Sequence, residues 1–225
     1  MRIDTFRGAI RLLGLVLPMT LVASSAHSQM RAAARAEAFG VSVSTATVNQ
    51  KSPFVVLPTG EAMASDQGQG VSVPGFVTAE NLFTIVTGDA DATHGSNAVS
   101  SATLGAVTLL DGLITADGIA AVASSTIGDG AVNSNAAGSS LASLVVSGTQ
   151  VSSPAPNTRM DLPGVGYVLL NEQRPSGDGV TASGITVNMI HVVLQQPVLG
   201  LLGQVTGYQT VGHVIVGSAT SSVTR

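Results

Sequence analysis

The 225-residue chain has no cysteine and no tryptophan. Absence of cysteine excludes disulfides, thiolate-held zinc, thioether-attached haem and a thiol nucleophile, so stability must come from the core alone. Aromatic residues make up 3% and charged residues 10% of the chain. So few rings leave little for stacking against a sugar. Cations are scarce as well: between Ser52 and Thr158 there is no Lys or Arg, while eight Asp and Glu fall there. A nucleic-acid binder needs cations to displace the counterions of phosphates. This chain has the opposite sign, which also disfavours an anionic membrane surface. Disorder is excluded on other grounds, because it needs high charge and low hydrophobicity, and here 44% of residues are hydrophobic.

The N-terminus reads as an address. Arg2, Arg7 and Arg11 precede an apolar run from Leu12 to Ala23. Ala26-His27-Ser28 then offers small residues at the −3 and −1 positions. Residues 1–28 are expected to be a secretory signal peptide. The run falls short of the roughly 20 residues that span a bilayer, and no later segment is long and apolar enough to do so. The expectation is a chain that is secreted, on the cell surface or in the periplasm, with no stable membrane insertion after cleavage. The rest, Gln29 to Arg225, carries six cationic and twelve acidic residues, a net charge of −6. Its length suits one domain.

Gly, Ala, Ser, Thr and Val dominate what remains, a composition of strands and turns. Residues 29–37 ("QMRAAARAE") read as a short helix or a flexible lead. A single β domain is expected over 38–225. "FGVSVSTATV" alternates with period two and "PFVVLP" is a short strand. "TGEAMASDQGQG" (59–70) reads as a loop.

The chain then repeats itself. "FVTAENLFTIV" (76–86) aligns with "LITADGIAAV" (113–122) at an offset of 37 residues, and Leu104, Val107 and Leu109 align with Leu141, Leu144 and Val146 at the same offset. Each unit has apolar ends around a Gly/Asp/Asn middle, the signature of a hairpin. Gly118 sits inside the second unit. A mid-helix glycine costs about 1 kcal/mol, whereas in a strand it marks a bulge, so strand with a bulge is preferred to helix. The shared Thr-Ala-acid is therefore scaffold: the same hairpin recurs. In the last third, "GYVLLNE", "GITVNMIHVVL" and "GHVIVGSATSSV" read as strands, and "PVLGLLGQVTGYQT" as an apolar loop. In "GITVNMIHVVL", simple alternation puts Ile185, Val187, Met189 and His191 on one side. The expected architecture is all-β: an antiparallel β-sandwich of about ten strands with an internal two-hairpin repeat. A right-handed β-helix is the alternative.

"NTRMDLPGVGYVLLNEQ", "GITVNMIHVVL" and the terminal "GHVIVGSATSSV", in that order after the Thr-Ala-acid repeats, resemble the choice-of-anchor P family of bacterial surface proteins. The resemblance covers about Ala38 to Val223. It implies a secreted domain of the cell envelope, with no catalytic residues to carry over. No anchor sequence follows Val223, which departs from the family pattern.

Candidate chemistry is thin. His94, His191 and His213 lack the HxH or HxxxH spacing of a zinc site, and are read as isolated. Asp89, Asp91 and Asn97 in one polar loop, with Asp129 in the other, offer oxygen ligands that suit calcium. Neither loop has the terminal Glu of a calcium-loop motif, and Asp and Asn also favour turns. There is no GxSxG or SxxK. Asp161, Glu172 and Asp178 lie near one another, but a glycosidase needs two carboxylates at a set separation. Glu172 and Gln173 are expected to close a turn or to bond to backbone. The reading is a non-enzymatic structural or adhesive protein without a cofactor. Its partners would be itself or other envelope or matrix components. An extracellular glycan- or calcium-binding module is the alternative.

Overall fold

Period-two alternation governs most of the described residues, and strands result over most of them. The computed structural model describes residues 33–91, 95–128 and 130–225. The signal-peptide reading of residues 1–28, His94 and Asp129 lie outside the described residues. The described strands are β1 (Ala33–Thr45), β2 (Asn49–Val56), β3 (Met63–Val73), β4 (Val77–Asp91), β5 (Gly95–Leu109), β6 (Ile114–Gly128), β7 (Ala131–Asn135), β8 (Ser140–Val146), β9 (Thr149–Val151), β10 (Thr158–Leu162), β11 (Gly166–Ser176), β12 (Ala182–Leu199) and β13 (Val205–Thr224). One sheet runs β10-β11-β12-β13-β1-β2. The other runs β3-β4-β5-β6-β8-β9, with β7 also paired to β6. Every pairing is antiparallel. The fold is the expected all-β sandwich, and no helix among the described residues is long and apolar enough to cross a membrane.

The 37-residue repeat is visible in the backbone. The Leu110 N–H donates to the Phe76 carbonyl at 3.0 Å, and the Ser147 N–H to the Leu113 carbonyl at 2.8 Å. Val77 pairs with Leu109 as Ile114 pairs with Val146. Thr-Ala-acid precedes a bulge in both units. Asn81 has φ 55° and Gly118 φ 66°, a left-handed backbone that Gly and Asn tolerate best. Ala79 and Ala116 are buried, while Glu80-Asn81 and Asp117-Gly118 are both exposed. The bulge thus shifts the inward phase by one residue, and Leu82 and Ile119 resume the buried face. The second unit's return strand is split into β7 and β8, where the first has an unbroken β5.

Leu82 and Ile119 find their room in the facing sheet at glycines. A Cβ on Gly40 would lie 2.6 Å from Leu82 Cδ2, and one on Gly217 would lie 2.9 Å from Ile119 Cγ2. Elsewhere the interface is chiefly Val, Ala, Leu and Ile, with Met189. At the Ala33 end serines take over. Ser125 Oγ meets Ser221 Oγ at 2.7 Å, and Ser100 Oγ donates to the Thr220 carbonyl at 2.9 Å.

Several expectations need correction. Residues 33–37 are strand, not helix: Ala33–Glu37 pair with Thr224–Thr220, and that pairing overrides the helix propensity of alanine. The segment expected as a loop over 59–70 contains most of β3. It reads as a loop because this edge strand buries no side chain before Val71. "PVLGLLGQVTGYQT" is not a loop but the end of a hairpin that prolongs β12 and β13. These additions raise the count above ten.

Gly217→Ala tests the glycine contact. The new methyl meets Ile119 and sits on a φ of 63°, so urea unfolding should show a loss of about 2–4 kcal/mol. A loss below about 0.5 kcal/mol would mean that the sheets are not in contact there.

Candidate functional site

Alternation along the central strands places two histidines on the outer face of the first sheet. Ile190, Val192, Val214 and Val216 are fully buried against the second sheet, so His191 and His213 point the other way. A half-step then occurs in the row of Asn171 (φ 50°) and Gly217 (φ 63°). Leu170 pairs with Ile190, and the next pairing below is Glu172 with Asn188. Beyond that row Val187 and Ala219 face the core, and Glu172, Asn188 and Ser218 join the histidines outside.

These side chains form one hydrogen-bonded chain. Glu172 Oε2 accepts from Asn188 Nδ2 at 2.7 Å and lies 2.9 Å from His191 Nδ1. Its Oε1 accepts from Arg174 Nε at 2.9 Å and from Arg174 Nη2. Ser218 Oγ donates to Asn188 Oδ1 at 2.7 Å. His191 Nε2 lies 3.0 Å from His213 Nδ1. Glu172, Asn188 and His191 are each at most 5% exposed, whereas His213 reaches solvent. Among the described residues no buried side-chain polar atom lacks a partner.

Burial pushes the Glu172 carboxyl up, but the hydrogen bonds from His191 and Asn188, the His191 charge and the Arg174 hydrogen bond outweigh it and hold the carboxyl at about 2. An ionised Glu172 only accepts, so His191 Nδ1 carries the hydrogen. The contact between the rings then holds a single proton, and protonating both imidazoles breaks it. His213 is lowered by burial, then by the charges of His191 and Arg174, with Glu172 opposing. Chemically this is a carboxylate–imidazole–imidazole line ending at the surface. A nucleophilic mechanism would add a hydroxyl bonded to the base. Among the described residues none is hydrogen-bonded to either ring.

No family model, curated protein or solved structure matches the chain.

The structure corrects the reading of these residues. His191 and His213 are not isolated; they are joined. Glu172 does not close a turn but lies within β11, at the centre of the network. Its sequence neighbours are separate from it. Asp161 pairs with Arg159 at 3.0 Å, and Asp178 closes the turn after β11. The Asp178 carboxylate accepts from the Thr181 hydroxyl and the N–H groups of Val180, Ala182 and Thr181, which hold it far below the ordinary range. Of the calcium candidates, Asp89 pairs with Asn97 and Asp91 with Gly95 across the β4–β5 hairpin. Asp89, Asp91 and Asn97 line one shallow hollow, and among the described residues no three His, Asp or Glu converge as a metal site. Three of the few rings carry cations: Lys51 Nζ lies 4.5 Å and 4.6 Å from the ring centres of Phe39 and Phe54, and Arg159 lies 3.8 Å from that of Tyr167.

Acid should loosen this network in two stages. Both folded-state values lie below the ordinary 6.5 and 4.5, so the unfolded chain binds more protons and stability drops as the pH is lowered. The His213 share is complete above about pH 6.5 and is lost below it; the Glu172 share is complete above about 4.5 and is lost towards 2. Thermal melts should show both steps, and His213→Gln should remove the upper one only. A variant profile that superimposes on the wild type between about pH 7 and 5 would contradict this. Glu172→Ala, which leaves the buried Asn188 and His191 donors without their acceptor, should cost about 1–3 kcal/mol in urea unfolding.

Proposed function

We propose that the protein is a non-enzymatic structural or adhesive component of the cell surface or extracellular matrix, and that it works by self-association. The observation that carries this is an unguarded sheet edge. Exposed edges are ordinarily kept short or guarded by Lys, Arg-type charge or Pro. Four of the five strands with a free edge among the described residues obey: β2 carries Lys51 and Pro53, β10 has five residues with Arg159, β7 has five and β9 has three. The fifth, β3, runs for eleven residues, "MASDQGQGVSV", without Lys, Arg or Pro. Its single charge is Asp66, which is turned to local work: its Oδ2 accepts from the Phe54 N–H at 3.0 Å and its Oδ1 from the Gln67 N–H at 2.9 Å. A second copy's β3 fits this edge by backbone pairing. The export signal read over residues 1–28 and the resemblance to choice-of-anchor P surface proteins support the location.

Light scattering on the purified protein tests this. Assemblies should grow with concentration, and Gln67→Lys with Gln69→Lys should reduce their mass at least several-fold by guarding the edge. A protein that stays monomeric at millimolar concentration is not a self-associating one.

Calcium binding is the second reading, favoured by the hollow that Asp89, Asp91 and Asn97 share. Millimolar calcium should then raise the melting temperature of the wild type and not that of Asp89→Ala with Asp91→Ala. Identical melts with and without calcium would remove this reading.

A further inference from the structure

Self-association through β3 makes no use of the Glu172–His191–His213 line. Stability alone does not call for the line either. A buried ion pair is often no more stabilising than apolar side chains of the same volume, and β12 and β13 are already joined by backbone pairing from Ala182 to Leu199. Apolar side chains do surround the rings. His191 lies opposite Leu169 and Ile215, and His213 opposite Val193 and Ser44. Leu169, Val193 and Ile215 face outward with the rings, because their neighbours Val168, Leu170, Val192, Val214 and Val216 fill the core.

The gap between the two rings has a particular shape. His191 Nε2 and His213 Nδ1 face each other at 3.0 Å, and the ring centroids are 5.2 Å apart. The second distance is close to the first plus the two ring radii. The rings therefore meet end to end rather than stacking, and the two nitrogens point at each other along one line. The planes differ by 40°, a twist about that line that leaves the nitrogens aligned. One hydrogen fills the gap. His191 Nδ1 donates to Glu172, so His191 Nε2 is bare and accepts from His213 Nδ1. In the other neutral tautomer of His213 both facing nitrogens are bare, and an ionised carboxylate stands behind one of them. A carboxylate on the far nitrogen of a histidine fixes its tautomer and makes it a more basic metal ligand.

We infer that this gap binds one monovalent coinage-metal ion, Cu(I) or Ag(I), between His191 Nε2 and His213 Nδ1. Such ions have a filled d shell and accept two ligands placed opposite each other, which is the arrangement of these nitrogens. Zinc takes four ligands, and Leu169, Val193 and Ile215 supply none. Among the described residues no three His, Asp or Glu converge. A single positive charge also suits the site better than a double one, because Glu172 already answers Arg174. A metal–imidazole bond is about 2 Å long in zinc sites, so two of similar length in line need a gap of about 4 Å. His213 has to draw back by about 1 Å to give it. It is the exposed partner and free to do so, while His191 is buried and held by Glu172. No proton is lost in the exchange: His213 releases the hydrogen on Nδ1 to water and takes one up at Nε2. The inference is independent of the self-association reading.

Silver(I) nitrate in chloride-free buffer tests this on the purified protein at about pH 8, where both rings are neutral. Thioethers bind silver too, so the readout is the NMR shift of the ring nitrogens. One equivalent should move His191 Nε2 and His213 Nδ1 together, leave the hydrogen on His191 Nδ1 in place, and raise the melting temperature. His213→Gln replaces an exposed side chain, and unchanged circular dichroism would verify its fold. It removes one of two ligands, so it should weaken silver binding by more than the roughly 10–100-fold that losing an outer-shell partner costs, and the His191 shift should vanish. Silver that moves only methionine methyl signals overturns the inference, as does equal affinity for His213→Gln. Zinc(II) nitrate that moves both rings as readily as silver also overturns it, because the site would then hold more than two ligands.

Discussion

The close approach of two sheets built from small residues is the constraint on which the rest of this structure depends. Large aromatic side chains would hold the layers apart, and the chain has almost none to bury. Leu82 and Ile119, the equivalent residues of the repeat, reach across to Gly40 and Gly217. Towards the Ala33 end, serines are near enough to bond between sheets. Packing at this density leaves little freedom for a methyl to be added or removed. It also explains the glycine, alanine and serine content, which serves separation between layers rather than flexibility.

The same rows of left-handed residues that fit the sheets together decide what faces outward. Without the half-step at Asn171 and Gly217, Glu172 and Asn188 would continue the alternation of Leu170 and Ile190 and enter the core. With it, Glu172 turns to the outer face beside His191, where Arg174, Asn188 and His191 satisfy its oxygens. The network is thus a consequence of the bulges. It gives the central strands β11, β12 and β13 a set of directional contacts that an apolar face would lack. Its acid sensitivity follows from its chemistry: one carboxylate that stays ionised and two rings that share one proton.

Much of this was legible in the residues, and the rest was hidden for identifiable reasons. The repeat announced itself by its offset, and Gly118 marked its bulge, because a strand has few other uses for glycine. The all-β sandwich followed from period-two alternation in a Val/Thr/Ser-rich chain. The Glu172–His191–His213 line was not legible. Its members lie on three strands, and their contact depends on strand order and register. Simple alternation grouped His191 with Ile185 and Val187, because the half-step falls at Met189, an unremarkable residue. The signals lay elsewhere, in Asn171 and Gly217 inside apolar runs. The projecting hairpin was missed because its apolar residues have no core to alternate against. β3 was missed because an edge strand need not have a buried face.

A double-mutant cycle between Gly217→Ala and Ile119→Ala measures the sheet contact most directly. If the layers meet where Ile119 fills the space above Gly217, shortening Ile119 makes room for the new methyl. The cost of Gly217→Ala should then fall by at least about 1 kcal/mol in the Ile119→Ala background, leaving the backbone strain behind. Additive costs in urea unfolding, within about 0.3–0.5 kcal/mol, would contradict the account, because they would mean that the two residues do not touch and that something other than this contact sets the distance between the sheets.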